Sequence, residues 1–403
     1  MACFWADVQR ADVGCGVTYN DMPFYGGFIV AKRLPGVGVG VIYTSADQRS
    51  VYFSKTSDLG VSWSTPVAVY SGSVALTAAT ENSFMSGPDG SLHFVAVLSS
   101  SAGNPIVYAR SSDIGASWAV SAFSPWQGRL PPYVSKPGLL HDGSNLYVAW
   151  NETIAFSTGT VYVAKSTDSG VSWAAPTSLF SEDSSVSGHD RNISLASGKN
   201  GVAGIVEMRG VTGVGVELRS YVTSNGGVTW SAVSSLDAPS AIWKPFSDTG
   251  WCTNLRECNL GGIINGVWHA FVPLQKQVSG GPIHFFHYRS LDYGATWLEP
   301  VMIPTVDFRN LSLGVVTDYS SHFRAVVTVL DTEGDDEYAS ILAFRSADAG
   351  ASWQLSGGDL TPPLGGVVGY ECLPKSCTLA FDNALDNALA VIDDGSKFIC
   401  LSF

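Results

Sequence analysis

Asparagines recur just where apolar stretches of this chain begin: Asn82, Asn192, Asn254, Asn310 and Asn387. An amide offers donor and acceptor atoms together, which suits sugar hydroxyls, water or an adjacent chain. Two of these stretches follow one pattern, Arg191-Asn192-Ile193-Ser194-Leu195 and Arg309-Asn310-Leu311-Ser312-Leu313. With Arg33, Arg209, Arg256 and Trp251 they form a set that can address a carboxylate, another anion or a sugar. The same residues also permit a structural role, the asparagines capping turns and the arginines pairing with Asp190, Asp307 or Glu257. Asp190, Glu207 and Glu371 are carboxylates that could serve a glycoside hydrolase. His284 and His287 alternate across a strand and point to opposite faces, so they do not share a metal. The seven cysteines include Cys252/Cys258 and Cys372/Cys377, whose spacings suit zinc poorly. No metal or other cofactor is expected, and cysteine pairing is left open.

The elements that position these residues are set by an octamer that occurs six times, S/T-x-D/N-x-G-x-S/T-W. Its copies are Thr56–Trp63, Ser111–Trp118, Ser166–Trp173, Thr223–Trp230, Ser290–Trp297 and Ser346–Trp353. The acidic positions Asp58, Asp113, Asp168, Asn225, Asp292 and Asp348 lie 55, 55, 57, 67 and 56 residues apart. A period of this length signals a propeller or solenoid. In each copy the Asp should accept backbone N–H groups of a tight turn, the Gly supplies positive φ, and the Trp buries the loop against its sheet. Asp168 is expected to accept several such bonds, and Trp173 to be largely buried.

Around each octamer the strand pattern repeats. In the second repeat the strands are Ser83–Ser86, Leu92–Leu98, Ile106–Arg110 and Val120–Phe123; in the third they begin Pro137–Leu140, Leu146–Trp150 and Val161–Lys165. Four antiparallel strands per period make one blade of a β-propeller. The chain therefore reads as all-β, one propeller domain over residues 1–403. A degenerate loop at Arg10–Val17 and a C-terminal hairpin, Ala388–Ile392 with Lys397–Phe403, favour seven blades, with six as the alternative. In that arrangement Lys397–Phe403 pairs alongside Cys3–Gln9 and ties the termini together. The longer fourth interval places an insertion around Ala238–Arg256.

Composition agrees: 43 glycines, 12 tryptophans and only 14% charged residues suit many short strands around a large core. A net charge of −13 lacks the electrostatic footprint that nucleic-acid binding requires. No apolar run approaches the roughly 18 residues of a membrane helix. The N-terminal MACFWADVQR lacks the pattern of a secretory signal, so an extracellular or virion-surface location would be reached another way, such as cell lysis by a phage.

The six octamers resemble the Asp-boxes of the sialidase (neuraminidase) superfamily, over nearly the whole chain. That resemblance implies the propeller, with the boxes on its outer rim. It also implies a constellation of three arginines, an Asp acid/base and a Tyr nucleophile helped by a Glu, for retaining-type glycoside hydrolysis. Lys32-Arg33-Leu34-Pro35 resembles the segment of the first Arg, which makes Arg33 its candidate. Ala46-Asp47-Gln48-Arg49 resembles the next segment, but Ser50-Val51-Tyr52-Phe53 follows at once, so the acid loop is missing and Asp47 is the nearest substitute. Arg209 matches the second Arg, while Asp190 or Arg191 stands where the Glu belongs. The place of the nucleophile holds Asp386-Asn387, and Tyr370 lies sixteen residues earlier. With these pieces missing, the reading is a non-catalytic propeller for binding or scaffolding, plausible as a surface or phage virion protein that recognises glycan or a partner protein. The alternative is a sialidase or other hydrolase with rearranged groups. If a ligand site exists, it centres on Arg33, Arg191, Asn192, Arg209, Asn254, Arg309 and Asn310, where the inner strands begin.

Overall fold

The structure of the chain is a computed structural model. It describes residues 10–12, 29–45, 47–58, 60, 62–78, 81–98, 105–123, 133–154, 158–181, 192–198, 200–211, 215–235, 243–245, 259–264, 267–276, 282–292, 296–304, 309–317, 323–333, 336–355, 376–381, 388–393 and 398–402. Among these there is no α-helix, only strands and a 3-10 turn at Glu81–Ser83, and no helix is long and apolar enough to cross a membrane.

After an N-terminal strand β1 (Arg10–Asp12), the strands fall into successive antiparallel units. The first contains β2 (Ile29–Leu34), β3 (Gly38–Thr44), β4 (Ser50–Thr56) and β5 (Val67–Ser71). The second holds β6 (Leu76–Ala78), β7 (Phe84–Ser86), β8 (Leu92–Leu98), β9 (Ile106–Ser111) and β10 (Ala119–Phe123). The third holds β11 (Tyr133–His141), β12 (Leu146–Ile154), β13 (Thr158–Ser166) and β14 (Thr177–Ser181); the fourth β15 (Asn192–Ala196), β16 (Ala203–Val211), β17 (Gly215–Thr223) and β18 (Ser231–Ser235). A nine-stranded sheet follows. It joins β19 (Trp243–Pro245), β20 (Asn259–Ile264), β21 (Val267–Lys276), β22 (Ile283–Ser290) and β23 (Val301–Met302) to β24 (Arg309–Thr317), β25 (Phe323–Glu333), β26 (Asp336–Ser346) and β27 (Gln354–Leu355). The two halves meet through a single parallel pair, Ile283 with Arg309, so they form a fifth and a sixth unit. The last sheet contains β28 (Ser376–Phe381), β29 (Ala388–Asp393), β30 (Phe398–Ser402) and β1.

Burial explains the sequence pattern. All of β3 and all but the last residue of β8 are buried, because neighbouring units cover both faces of each sheet. The outermost strands are short, and both residues of β27 are exposed. Between units lie the core layers. Phe53 of the first unit packs with Phe84 and Phe94 of the second, and Val95 and Tyr108 of the second pack with Val148 and Trp150 of the third. The same kind of layer joins the third unit to the fourth, the fourth to the fifth and the fifth to the sixth. The innermost strands neighbour one another in the order β2, β7, β11, β15, β20, β24, β28, and β28 packs beside β2.

Two expectations shift. The C-terminal strand pairs with Arg10–Asp12 (Arg10 opposite Leu401), residues assigned above to a degenerate loop, while Cys3–Gln9 lies outside the described residues. Strand β11 begins at Tyr133 rather than Pro137, because a register shift between Ser135 and Gly138 accommodates a proline that has no N–H to donate. The long fourth interval contains an added edge strand, β19, whose Trp243 lies opposite Lys276.

Candidate functional site

The two ends of the strands present different candidates. At the end where inner strands begin, Asn192 is the first residue of β15, and Arg309 and Asn310 open β24. Asn192 pairs with Met208, which places Arg209 one position further along β16 at that same end. All four are backbone positions at the starts of inner strands or directly beside them. Arg191, Asn254, Asn387 and Tyr370 lie outside the described residues. Asn82 sits in the 3-10 turn before β7, half-buried.

Arg33 does not join them. It is the fifth residue of the six-residue strand β2, next to the turn into β3. At about 3.3 Å per residue it stands roughly 13 Å down the strand from its start, at the hairpin end. The Lys-Arg-Leu-Pro resemblance misled because an Arg–Pro pair also suits the last turn of a strand. Asp47 is exposed, and it accepts the Ser45 hydroxyl at 2.6 Å and the Arg49 backbone N–H at 3.1 Å. The Ser45 hydroxyl, then the Arg49 N–H, hold its carboxyl below the usual range despite slight desolvation. That is the chemistry of a turn cap, the opposite of a raised general acid.

The hairpin end is built by the octamers, and here the expected division of labour is revised. In the third copy the buried hub is the opening serine: the Ser166 hydroxyl accepts the Gly170 N–H at 2.8 Å and donates to Asp168 at 2.8 Å. Asp168 accepts the Ser172 N–H at 2.8 Å and the Ser172 hydroxyl at 2.5 Å, and the Val171 N–H adds a smaller pull. Corresponding bonds surround Asp58, Asp113 and Asp348, and Asp292 and Asn225 hold the position-seven residue in the same way. Side-chain and then backbone bonds from Ser117 and Ser172 pull the Asp113 and Asp168 carboxyls down to about 2.

Trp173 is only half-buried, and it packs across a unit boundary. Its ring meets Tyr108 of the preceding unit edge-on at 5.1 Å; Trp118 meets Phe53 at 5.7 Å and Trp230 meets Tyr147 at 5.8 Å. A Cβ added at Gly170, where φ is +82°, would overlap the Tyr108 hydroxyl, so that glycine serves both conformation and contact.

One recurring feature escaped the sequence reading. The residue just before the octamer is basic in five copies: Lys55, Arg110, Lys165, Arg289 and Arg345. Lys55, Arg110 and Lys165 each donate to the carbonyl of the octamer's fourth residue in the next unit, Ile114, Ser169 and Gly226, at 3.1, 2.8 and 2.6 Å. The fourth residue takes a positive φ to present that carbonyl: 56° at Ile114, 53° at Ser169, 69° at Gly226 and 54° at Ala349. For a β-branched residue the cost is of the order of 1–2 kcal/mol.

A groove of about 330 Å³ opens on this same end, between the β2–β3 and β7–β8 turns and the loop around Ile114. Behind it runs a buried relay. The Asp89 carboxyl is raised by burial, but hydrogen bonds from the Ser91 hydroxyl, the Ser91 N–H and the Ser169 side chain outweigh this and keep it ionised. Ser91 therefore donates to Asp89 (2.5 Å), and its oxygen accepts from His93 Nε2 (2.7 Å). His93 Nδ1 then accepts from the Tyr108 hydroxyl (2.7 Å), which fixes the neutral tautomer. Burial, opposed by Asp89, holds His93 down at about 4. A buried imidazole pair, His269 Nδ1 and His287 Nε2 at 3.0 Å, lies in the fifth unit against Phe323 of the sixth, and burial holds His269 at about 4 as well. His284 packs instead against Trp243, away from that pair. Among the described residues no cluster of three or more metal-ligating side chains occurs.

No protein-family model matches the sequence, and no curated protein matches it. Solved structures do. An ulvan lyase of polysaccharide lyase family PL25 superposes with a TM-score of 0.55 at 12% identity, covering 99% of this chain and 94% of its own. The form of that lyase bound to -[GlcA(1-4)Rha3S]- gives 0.54 at 12%, covering 98% and 95%. A protein of unknown function from Dyadobacter fermentans gives 0.50 at 12%, covering 98% and 99%. These likenesses show the fold alone, an all-β propeller.

Proposed function

We propose that the chain is a seven-bladed, non-catalytic propeller whose channel mouth binds an anionic glycan. The observation that carries this reading is the placement of Asn192, Arg309 and Asn310 on the first residues of two inner strands, with Arg209 at the same end. Strand starts from different blades let side chains distant in sequence address one ligand, and rigid strands hold them at little ordering cost. Arginines gathered at one mouth of a chain with net charge −13 would make it a local anion site. The ulvan lyase that shares the fold holds a uronate-containing, sulfated saccharide, and saccharides of that class are the ligand assigned here. Arg33 at the wrong end of its strand and Asp47 as a turn cap speak against a sialidase constellation built from those residues. The setting proposed is an extracellular or virion surface, where such a ring serves adhesion or scaffolding.

The test is a double substitution, Arg191→Ala with Arg309→Ala. Loss of retention on immobilised uronate or sialoside glycans, with an unchanged melting curve, is the expected result. Loss of folding alone would mean these arginines only join blades. Robust turnover of a fluorogenic sialoside by the wild-type protein would overturn the non-catalytic reading.

A further inference from the structure

Two hairpins of this propeller carry the same Asp-Gly turn, yet only one of them opens to solvent. In the third unit Asp142 is fully buried and saturated: it accepts the N–H groups of Ser144 and Asn145, the Asn145 amide and the Tyr147 hydroxyl. In the second unit the Asp89 side chain is 41% exposed at the edge of the groove. Its Oδ1 is fixed by Ser91, the Ser169 side chain also bonds the carboxylate, and its Oδ2 lies 3.9 Å from Arg110 Nη2, beyond direct hydrogen-bond distance. A hydroxyl oxygen seated to one side of this pair can accept from Arg110 and donate to a remaining lone pair of Asp89. The Ser91–His93–Tyr108 relay holds the acceptor rigid, and the Arg110 Nε bond to the Ser169 carbonyl holds the donor.

The opposite lip is apolar. Pro35, Val37 and Ile114 line it, and Ile114 is 40% exposed. At the position of Ile114 the other octamers carry Leu59, Ser169, Gly226, Tyr293 and Ala349, so a large side chain there is shared by three of the six copies. The left-handed backbone at Ile114 presents its carbonyl to Lys55, as the corresponding residues do at other octamers, so the strain serves the seam between units. Its exposed side chain gives the groove an apolar wall beside a carboxylate–guanidinium pair.

We infer that this groove is a second ligand site, for a neutral pyranoside, on the end of the propeller opposite the mouth. The C–H face of the ring would lie on Pro35, Val37 and Ile114, with its hydroxyls bridging Asp89 and Arg110. The Asp89 carboxylate would turn away a uronate, so the two ends of the channel would select different sugars.

Saturation-transfer NMR with methyl β-galactopyranoside and methyl α-glucopyranoside tests this. At least one should receive saturation from the wild-type protein, and methyl glucuronide should receive none through this site. Ile114→Gly should weaken binding at least tenfold without lowering the thermal midpoint, since it relieves the backbone. Asp89→Ala should abolish binding, and Arg309→Ala, at the mouth, should leave it unchanged. Silence from both pyranosides, or full binding by Ile114→Gly, would overturn the site. Binding lost in Arg309→Ala would relocate the sugar to the mouth and equally refute the groove.

Discussion

The hairpin end and the mouth of this propeller are built in opposite ways. At the hairpin end each octamer closes on itself, hydroxyl to glycine N–H and carboxylate to serine, within five residues of chain. One basic residue and one aromatic then tie it to a neighbour. At the other end, Asn192 and Arg309 open inner strands of different sheets, and no local motif links them. The first arrangement is local and repeated, so it should carry stability. The second is assembled by topology alone and should carry recognition. Each prediction below would break or sharpen that contrast.

The largest effect should follow removal of residues 397–403. The deletion takes away β30 and with it the pairing to β29 and to β1. Cooperative unfolding of the whole chain is expected by circular dichroism; a truncated protein with a normal melting curve would mean the termini do not hold the ring.

Next comes Gly170→Ala. It forces a methyl group into the left-handed region and against Tyr108, at a combined cost of about 2–4 kcal/mol. Urea unfolding measures it, and glycan retention at the mouth should survive in the folded fraction.

Ser166→Ala should cost about 1–3 kcal/mol, because it strands the buried Gly170 N–H. Asp168→Ala should cost less, since its carboxylate is exposed and its lost partners can bond to water. The reverse order in paired melting curves would restore the acidic residue as the core of the loop.

Acid should expose two windows in turn. The buried His93 and His269 have folded values near 4, below their unfolded value of about 6.5. The unfolded chain binds the extra protons between those limits, so this contribution is complete above pH ~6.5 and fades as pH falls toward 4. Asp113 and Asp168 are depressed to about 2, so theirs is present above the ordinary carboxylate value of about 3.9 and is lost on descent toward 2. His93→Gln should flatten part of the upper window alone, and Asp168→Asn part of the lower. A single transition common to both variants would contradict this.

The smallest effect on stability belongs to Arg309→Ala, expected within about 0.5 kcal/mol, with glycan binding lost all the same. A large drop in melting temperature would turn the mouth into another structural seam.

How much of this could be read beforehand depends on distance along the chain. The octamers, their glycines and the strands between them follow from spacing and residue type, because every interaction that defines them lies within a few positions. The basic residue before the octamer was legible in the same way, as a repeat, although its partner lies some 60 positions away (Lys55 to Ile114, Lys165 to Gly226). The start of β11 was misplaced at Pro137 because a bulge, visible only in the pairing, carries the strand past the proline.

The sequence by itself determined an all-β repeat with its loops gathered at the strand ends, since alternation, turn chemistry and periodicity are local physics. Only the tertiary structure decided which end each side chain occupies. A motif such as Lys32-Arg33-Leu34-Pro35 states residue type but not height along a strand, and a shift of four residues moved Arg33 from the mouth to the hairpin. The groove was equally hidden: Asp89 and Asp142 read alike in their Asp-Gly turns, yet Asn145 and Tyr147 close on Asp142 while Asp89 stays at the edge of the groove.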